Sequence, residues 1–380
     1  MIKINETGAV FQNPHPSVVP LQAQFPGYCK LSGREIICVH KRGQAMNAIE
    51  TNYAVSRSTD GGMTWKDEGL IWDRRKDDRP YSYGYGYPFL KDDGEILLTG
   101  YRWDRSKSDE DWNIYNPKTL GAVQCQAVLF RSKDGGRTWS APEQIPAPKD
   151  VAMANTSGRI VKLKDGRLML PMESWKAWDD SGPIKQRSLV ALSKDGGKTW
   201  GDHVIAVMDP TYRILHWNGM FSRLSDGRII AMYWGKDTKT EQDLTIPATY
   251  SKDEGKTWAP VYDTGMVGQM GCHIDVGNGR VLAIFNRRDE EKPGVWAAIS
   301  NDYGQTWPKD GHTCLWDARG RALCGSLDES NRSRDIYDEG TMAFGKPDVI
   351  HLEGNRYLAG FWATANFVMH IRYAHLTIES

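Results

Sequence analysis

One octapeptide recurs along the chain: STDGGMTW (residues 58–65), SKDGGRTW (132–139), SKDGGKTW (193–200), SKDEGKTW (251–258) and SNDYGQTW (300–307). The copies stand roughly 50 to 75 residues apart, the range of a supersecondary repeat rather than of separate domains. Their residue types are those of a turn. Asp accepts hydrogen bonds across a loop, the Gly positions allow left-handed backbone, and the closing Trp needs apolar neighbours. The repeated Asp60, Asp134, Asp195, Asp253 and Asp302 therefore read as turn stabilisers, not as metal ligands or catalytic acids.

Ahead of each copy lie two apolar runs joined by a short turn with Gly: FPGYCKLSGREIICVH, YGYPFLKDDGEILLTGY, SGRIVKLKDGRLMLPM, NGMFSRLSDGRIIAMYW and CHIDVGNGRVLAIFN. A sixth pair, GKPDVIHLEGNRYLAGFW, has no octapeptide after it. Asp-Gly and Asn-Gly between apolar runs are strong hairpin signals, because both positions tolerate positive φ. A third strand such as SLVALS (188–193), the octapeptide and one more strand complete a unit of four. Six such units arranged radially give an all-β, six-bladed β-propeller with four antiparallel strands per blade, an architecture that leaves only short edges. The expected blades span about 20–80, 81–150, 151–212, 213–265, 266–334, and 335–380 with 1–19, in one domain covering 1–380. The last unit ends at VMHIRYAHLTI and lacks a fourth strand, so the N-terminal IKINETGAVF is expected to close the ring.

The octapeptide is the Asp box, and its repetition resembles the sialidase (neuraminidase) superfamily of BNR-repeat propellers. The resemblance implies that the boxes sit between third and fourth strands, opposite the substrate face. That face is then built from the starts of first strands, the ends of second strands and the loops leaving them. The starts are Gln24-Phe25-Pro26, Tyr87-Pro88, Ser157-Gly158-Arg159, Trp217-Asn218-Gly219, Cys272-His273 and Lys346-Pro347-Asp348. The ends are His40-Lys41-Arg42, Tyr101-Arg102-Trp103, Glu173-Ser174-Trp175, Tyr233-Trp234, Asn286-Arg287-Arg288 and Phe361-Trp362. A sialidase is expected to carry an Arg-Ile-Pro motif where Gln24-Phe25-Pro26 stands, and a nucleophilic Tyr where Lys346-Pro347-Asp348 stands. Its Glu-before-Arg pair is matched best by His273 and Arg287, with His in place of Glu.

Acidic and basic residues balance at 48 each, which argues against a nucleic-acid partner held by bulk charge. The 15 Trp and 16 Tyr suit stacking on sugar faces. Glycoside cleavage commonly uses two carboxyl groups, and Glu173 and Asp348 are the carboxyls expected nearest the axis, with His273 as a further acid or base. Substrate binding is assigned to His40, Arg102, Arg159 and Arg287, the arginines pairing with a carboxylate, and to Trp175 and Trp234. The run RPYSYGYGYPF (79–89) brings further aromatics to the rim, and the polar insertions 104–121 and 315–345 are expected to cover the substrate face.

These readings favour a sialidase-like glycoside hydrolase releasing a terminal, acidic sugar from a carbohydrate substrate. A lyase acting on uronic-acid linkages and a glycan-binding propeller without catalysis are the alternatives. Neither a metal nor another cofactor is called for, and the six Cys show no zinc spacing, although Cys314 and Cys324 are close enough to pair. The chain begins without a basic-then-apolar signal, and no apolar run approaches the ~20 residues of a membrane span, so no membrane partner is expected. A cytoplasmic location is expected for the chain as it stands, or a secreted or periplasmic one if a leader has been removed.

Overall fold

The computed structural model describes residues 1–107, 113–289, 291–319, 344–365 and 368–379. Its strands form six antiparallel sheets, each a path of four strands in order from the axis outward. Blade 1 runs Gln22–Ser32, Glu35–Gly43, Asn52–Ser58 and Lys66–Leu70. Blades 2 to 5 repeat the pattern, with innermost strands Tyr81–Leu90, Met153–Thr156, Ile214–Arg223 and Gln269–Gly277. Blade 6 takes Phe344–Glu353, Arg356–Ala365 and Val368–Ile378 from the C-terminus and Ile2–Phe11 from the N-terminus. That last pairing, from Ile2 opposite Ile378 to Phe11 opposite Ile371, closes the ring.

The boxes are turns between third and fourth strands. In the box at 193–200, Asp195 accepts from the Ser193 hydroxyl (2.8 Å), the Thr199 hydroxyl (2.6 Å) and the backbone N–H groups of Lys198 and Thr199. The same Ser and Thr hydroxyl bonds hold Asp60, Asp134, Asp253 and Asp302. Those bonds, led by the threonine hydroxyl, hold the Asp195 carboxyl well below the usual range. The two positions after the box Asp both require positive φ. Three boxes meet that with Gly-Gly, while the others use Glu254-Gly255 (φ 61° and 81°) and Tyr303-Gly304 (φ 62° and 81°).

Apolar side chains of adjacent blades interleave, so the core is a ring of inter-blade layers rather than one centre. Cys29, Cys38, Cys125 and Cys272 are buried free thiols within these layers. Cys324, the suggested partner of Cys314, lies outside the described residues, as do parts of both polar insertions.

Five innermost strands carry a register shift close to the axis: between Gln24 and Gly27, Tyr83 and Gly86, Trp217 and Met220, Met270 and Cys272, and Gly345 and Asp348. A bulge re-aims the residues at its crest, which plain alternation would place elsewhere. Three crest residues are not glycine yet take positive φ: Phe25 (54°), Asn218 (51°) and Lys346 (30°). Such backbone costs on the order of 1 kcal/mol or more per residue and persists where the surroundings over-determine it. All three line one cavity.

Candidate functional site

The cavity lies on the propeller axis and holds about 130 Å³, about ten times the space one ordered water requires. Its wall from blades 2 to 4 is aromatic: Tyr85, Tyr101, Trp103, Tyr115, Trp217 and Trp234. These rings brace one another, with centroids 4.8 Å apart for Tyr85 and Tyr101 and 5.0 Å for Trp217 and Trp234. Trp175 stands behind, 5.3 Å from Trp217, its indole N–H donated to the Leu120 carbonyl. The wall from blades 5, 6 and 1 carries the polar and cationic groups Gln269, Asn286, Arg288, Lys346 and Lys41 beside Phe25, Met46 and Trp362.

Among the described residues lining the cavity, Glu173, at the end of the second strand of blade 3, is the only carboxylate. Its Oε2 accepts from the backbone N–H of Asn218 (2.9 Å) and its Oε1 from the Asn155 amide (3.2 Å). Burial pushes this carboxyl up, and the opposing pull of Lys346 is the largest influence holding it down. Lys346 is 8% exposed. Its ammonium donates to Asn218 Oδ1 (2.8 Å) and sits 3.3 Å from the Tyr85 ring centroid. Burial lowers it to about 7 against the attraction of Glu173 and Asp348. Tyr85 donates its hydroxyl to the same Asn218 Oδ1 (2.9 Å). Asn218 thus joins three blades, binding Glu173 through its backbone and Lys346 and Tyr85 through its side chain.

Arg288 donates Nε to Gln269 Oε1 (2.8 Å) and Nη2 to the Phe344 carbonyl, and stacks over the Phe344 ring at 4.6 Å. Gly345 permits this approach, since a Cβ there would stand 2.8 Å from Arg288 Nη2. Lys41 donates to Asn47 (3.3 Å) and faces Phe25 at 5.4 Å.

Of the residues given a catalytic or binding role from the sequence, the structure brings Glu173 and Trp234 to the cavity and places the others elsewhere. Asp348 is fully buried below it, its Oδ2 accepting from Arg159 and from the Tyr28 backbone N–H (2.7 Å). That bond spans the axis from blade 6 to blade 3 and occupies the Arg159 guanidinium. His273 is buried between blades, its Nε2 against the Ile230 carbonyl (3.4 Å), and burial lowers it to about 4. His40 is buried on Ser56 and stacked on Phe11, lowered to about 3 by burial and then by Arg42. Arg102 is held by Gln126 and lies over the Tyr81 ring at 3.7 Å. Arg287 pairs with Asp289 at 2.7 and 2.8 Å on the flank of blade 5. Of the tyrosines in residues 79–89, Tyr85 lines the cavity, while Tyr83 is buried and donates to Asp77 (3.0 Å). Lys346, Asn218, Arg288 and Lys41 were named among the strand starts and ends of the expected rim, without an assigned role, and all four line the cavity. The Pro and Gly next to Phe25, Asn218 and Lys346 were the available signal of a bulge.

Residues 33–321 match the family model described as BNR repeat-like domain. A sialidase of Bacteroides fragilis is 27% identical over 222 residues, which are 54% of this chain and 36% of that relative. The chain therefore spans about a third of that relative's length. A Dyadobacter fermentans protein of unknown function superposes with a TM-score of 0.77 at 20% identity, covering 100% of this chain and 99% of its own. The Hadza microbial sialidase Hz136 superposes with a TM-score of 0.70 at 16% identity, covering 98% of this chain and 69% of its own.

Proposed function

Because the chain belongs to the BNR repeat-like family, within the sialidase superfamily of β-propellers, we propose that its central cavity receives the terminal acidic sugar of a glycan and hydrolyses its glycosidic bond. The observation that carries this reading is the buried acid and base joined through Asn218. Glu173 is pushed up by burial, and Lys346 is lowered to about 7. Titratable groups shifted from their ordinary values by burial and by a specific charged partner, inside one cavity, are candidates for acid and base work.

The apolar face of the sugar rests on Tyr85, Trp217 and Trp234, and its carboxylate turns to the wall that carries Arg288 and Lys41. Glu173, protonated, gives its proton to the leaving glycosidic oxygen as the bond to the anomeric carbon breaks. Lys346, as the neutral amine, takes a proton from the water whose oxygen bonds to that carbon. The products are the free acidic sugar and the shortened glycan, and solvent returns the proton from Lys346 to Glu173. Lys346 takes the part that a second carboxylate plays in most glycosidases.

That substitution also favours a second reading, a lyase. Here the amine of Lys346 removes the proton beside a uronate carboxylate neutralised by Arg288, and the glycosidic oxygen leaves with a proton from Glu173. Both readings are tested by incubating the protein with sialosides and uronic-acid oligosaccharides and following reducing sugar together with ultraviolet absorbance. Reducing sugar without absorbance supports hydrolysis, and an absorbing unsaturated uronate supports elimination. Absence of both across acidic glycans contradicts cleavage.

A further inference from the structure

We infer that a second cavity, on the flank of blade 5, is a binding site for an anionic sugar unit. It holds about 320 Å³, and none of its nine lining residues lines the central cavity. The inference therefore stands apart from the reaction assigned there.

Lys292, Lys309 and Arg287, the last already paired with Asp289, line it with one acid, Asp310, and His312, in a chain whose acidic and basic residues balance overall. Arg287 is held in place by both oxygens of Asp289, its side chain 14% exposed, so its orientation is set before any ligand arrives. Lys292 and Lys309 are exposed and make no ion pair among the described residues, so their charge is available. Trp296 also lines the cavity, its indole half-buried and its N–H already donated to the Lys292 carbonyl (3.0 Å). Arg287 stands 5.9 Å from the centre of that ring, and the rest of the ring surface is what the indole can offer a ligand. Val267, also in the lining, is 51% exposed, an apolar surface at this cavity that a bound ring would cover.

A flat apolar ring beside fixed and mobile cations suits a pyranose that carries a carboxylate or sulfate. It suits a nucleic acid poorly, because one indole and two lysines neither stack successive bases nor track a phosphate backbone. Arg287 lines this cavity and Arg288 the central one, as consecutive residues at the end of one strand, and Val267 and Gln269 divide in the same way. The two cavities are thus lined from neighbouring backbone positions.

The test is calorimetric titration of the full chain carrying Glu173→Gln with trigalacturonate, with maltotriose as the neutral control and hexathymidylate and sodium sulfate as competitors. Binding of the acidic trimer and not of maltotriose is expected, weakened about tenfold or more by Lys292→Glu with Lys309→Glu, a loss of about 1.4 kcal/mol. Trp296→Ala is expected to weaken it similarly. The lysines are exposed, so the double variant reports on binding even if Trp296→Ala fails to fold. Unchanged affinity in the lysine variant overturns the inference. So does hexathymidylate binding as tightly as the trimer, or displacement of the trimer by an equal concentration of sulfate. If the central cavity binds no acidic sugar, the lysine-dependent binding is still expected.

Discussion

The ammonium of Lys346 lies 3.3 Å from the centre of the Tyr85 ring. A cation over an aromatic face is stabilised by the ring's quadrupole, which partly offsets loss of water around a side chain that is 8% exposed. The offset is incomplete, since burial still lowers Lys346 to about 7. A base that is half neutral near pH 7 is useful to catalysis and costly to the fold.

Lys346→Met is accordingly expected to reduce kcat at least 100-fold at pH 7 while leaving the fold as stable or more so. The sign follows from linkage. Between about 7 and the ordinary lysine value of 10.5, the unfolded chain holds a proton that the native Lys346 has released. Wild-type stability therefore gains on the order of a few kcal/mol as pH rises through that window, and the variant lacks this gain. Urea unfolding at pH 7 and pH 10 measures the difference.

Acid should unfold the protein through its buried histidines. His273 and His216 are lowered to about 4 and His40 to about 3, chiefly by burial. As pH falls from 6.5 towards 4, the unfolded chain takes protons that the native chain refuses, so stability falls. Each of His273 and His216 accounts for about 3 kcal/mol at most. His273→Gln should flatten the pH dependence of the denaturation midpoint between pH 6.5 and 4 and leave kcat at neutral pH near the wild-type value.

Asp348 serves as a brace between blades. Asp348→Asn leaves Arg159 without its charge partner and is expected to cost about 3–5 kcal/mol. Combining it with Arg159→Met should recover at least half of that loss, because no isolated charge remains. A double-mutant cycle by chemical denaturation checks this, and strict additivity would refute it.

Removal of residues 1–12 takes away the fourth strand of blade 6 and the buried Ile2, Val10 and Phe11. At roughly 1.5–3 kcal/mol for each apolar side chain, the truncated chain should lose at least about 4 kcal/mol or fail to fold cooperatively. Thermal unfolding by circular dichroism measures it.

The fold was legible because each box repeats one turn whose hydrogen bonds are local, and each hairpin carries its own turn chemistry. Those signals survive without knowledge of the neighbours. The site was legible as a set of strand ends but not as side chains. Alternation puts Lys346 and Asp348 on one face, and the bulge between Gly345 and Asp348 breaks that parity. Lys346 reaches the cavity, and Asp348 goes to the floor and Arg159. Asn218 follows the same logic at the bulge between Trp217 and Met220. His40 and His273 have the chemistry of acids and bases, but inter-blade burial keeps them neutral and outside the cavity. That burial comes from strands distant in sequence, which no local pattern reports.

The account rests on Glu173 as the proton donor to the leaving group, and leaving-group dependence in Glu173→Gln tests it most directly. On an acidic glycan whose leaving group is a sugar hydroxyl, the variant should lose at least 100-fold in kcat. On the corresponding 4-nitrophenyl glycoside, whose leaving group needs no proton, it should stay within about tenfold of the wild type. Equal losses on both substrates, or no loss on either, would contradict that role.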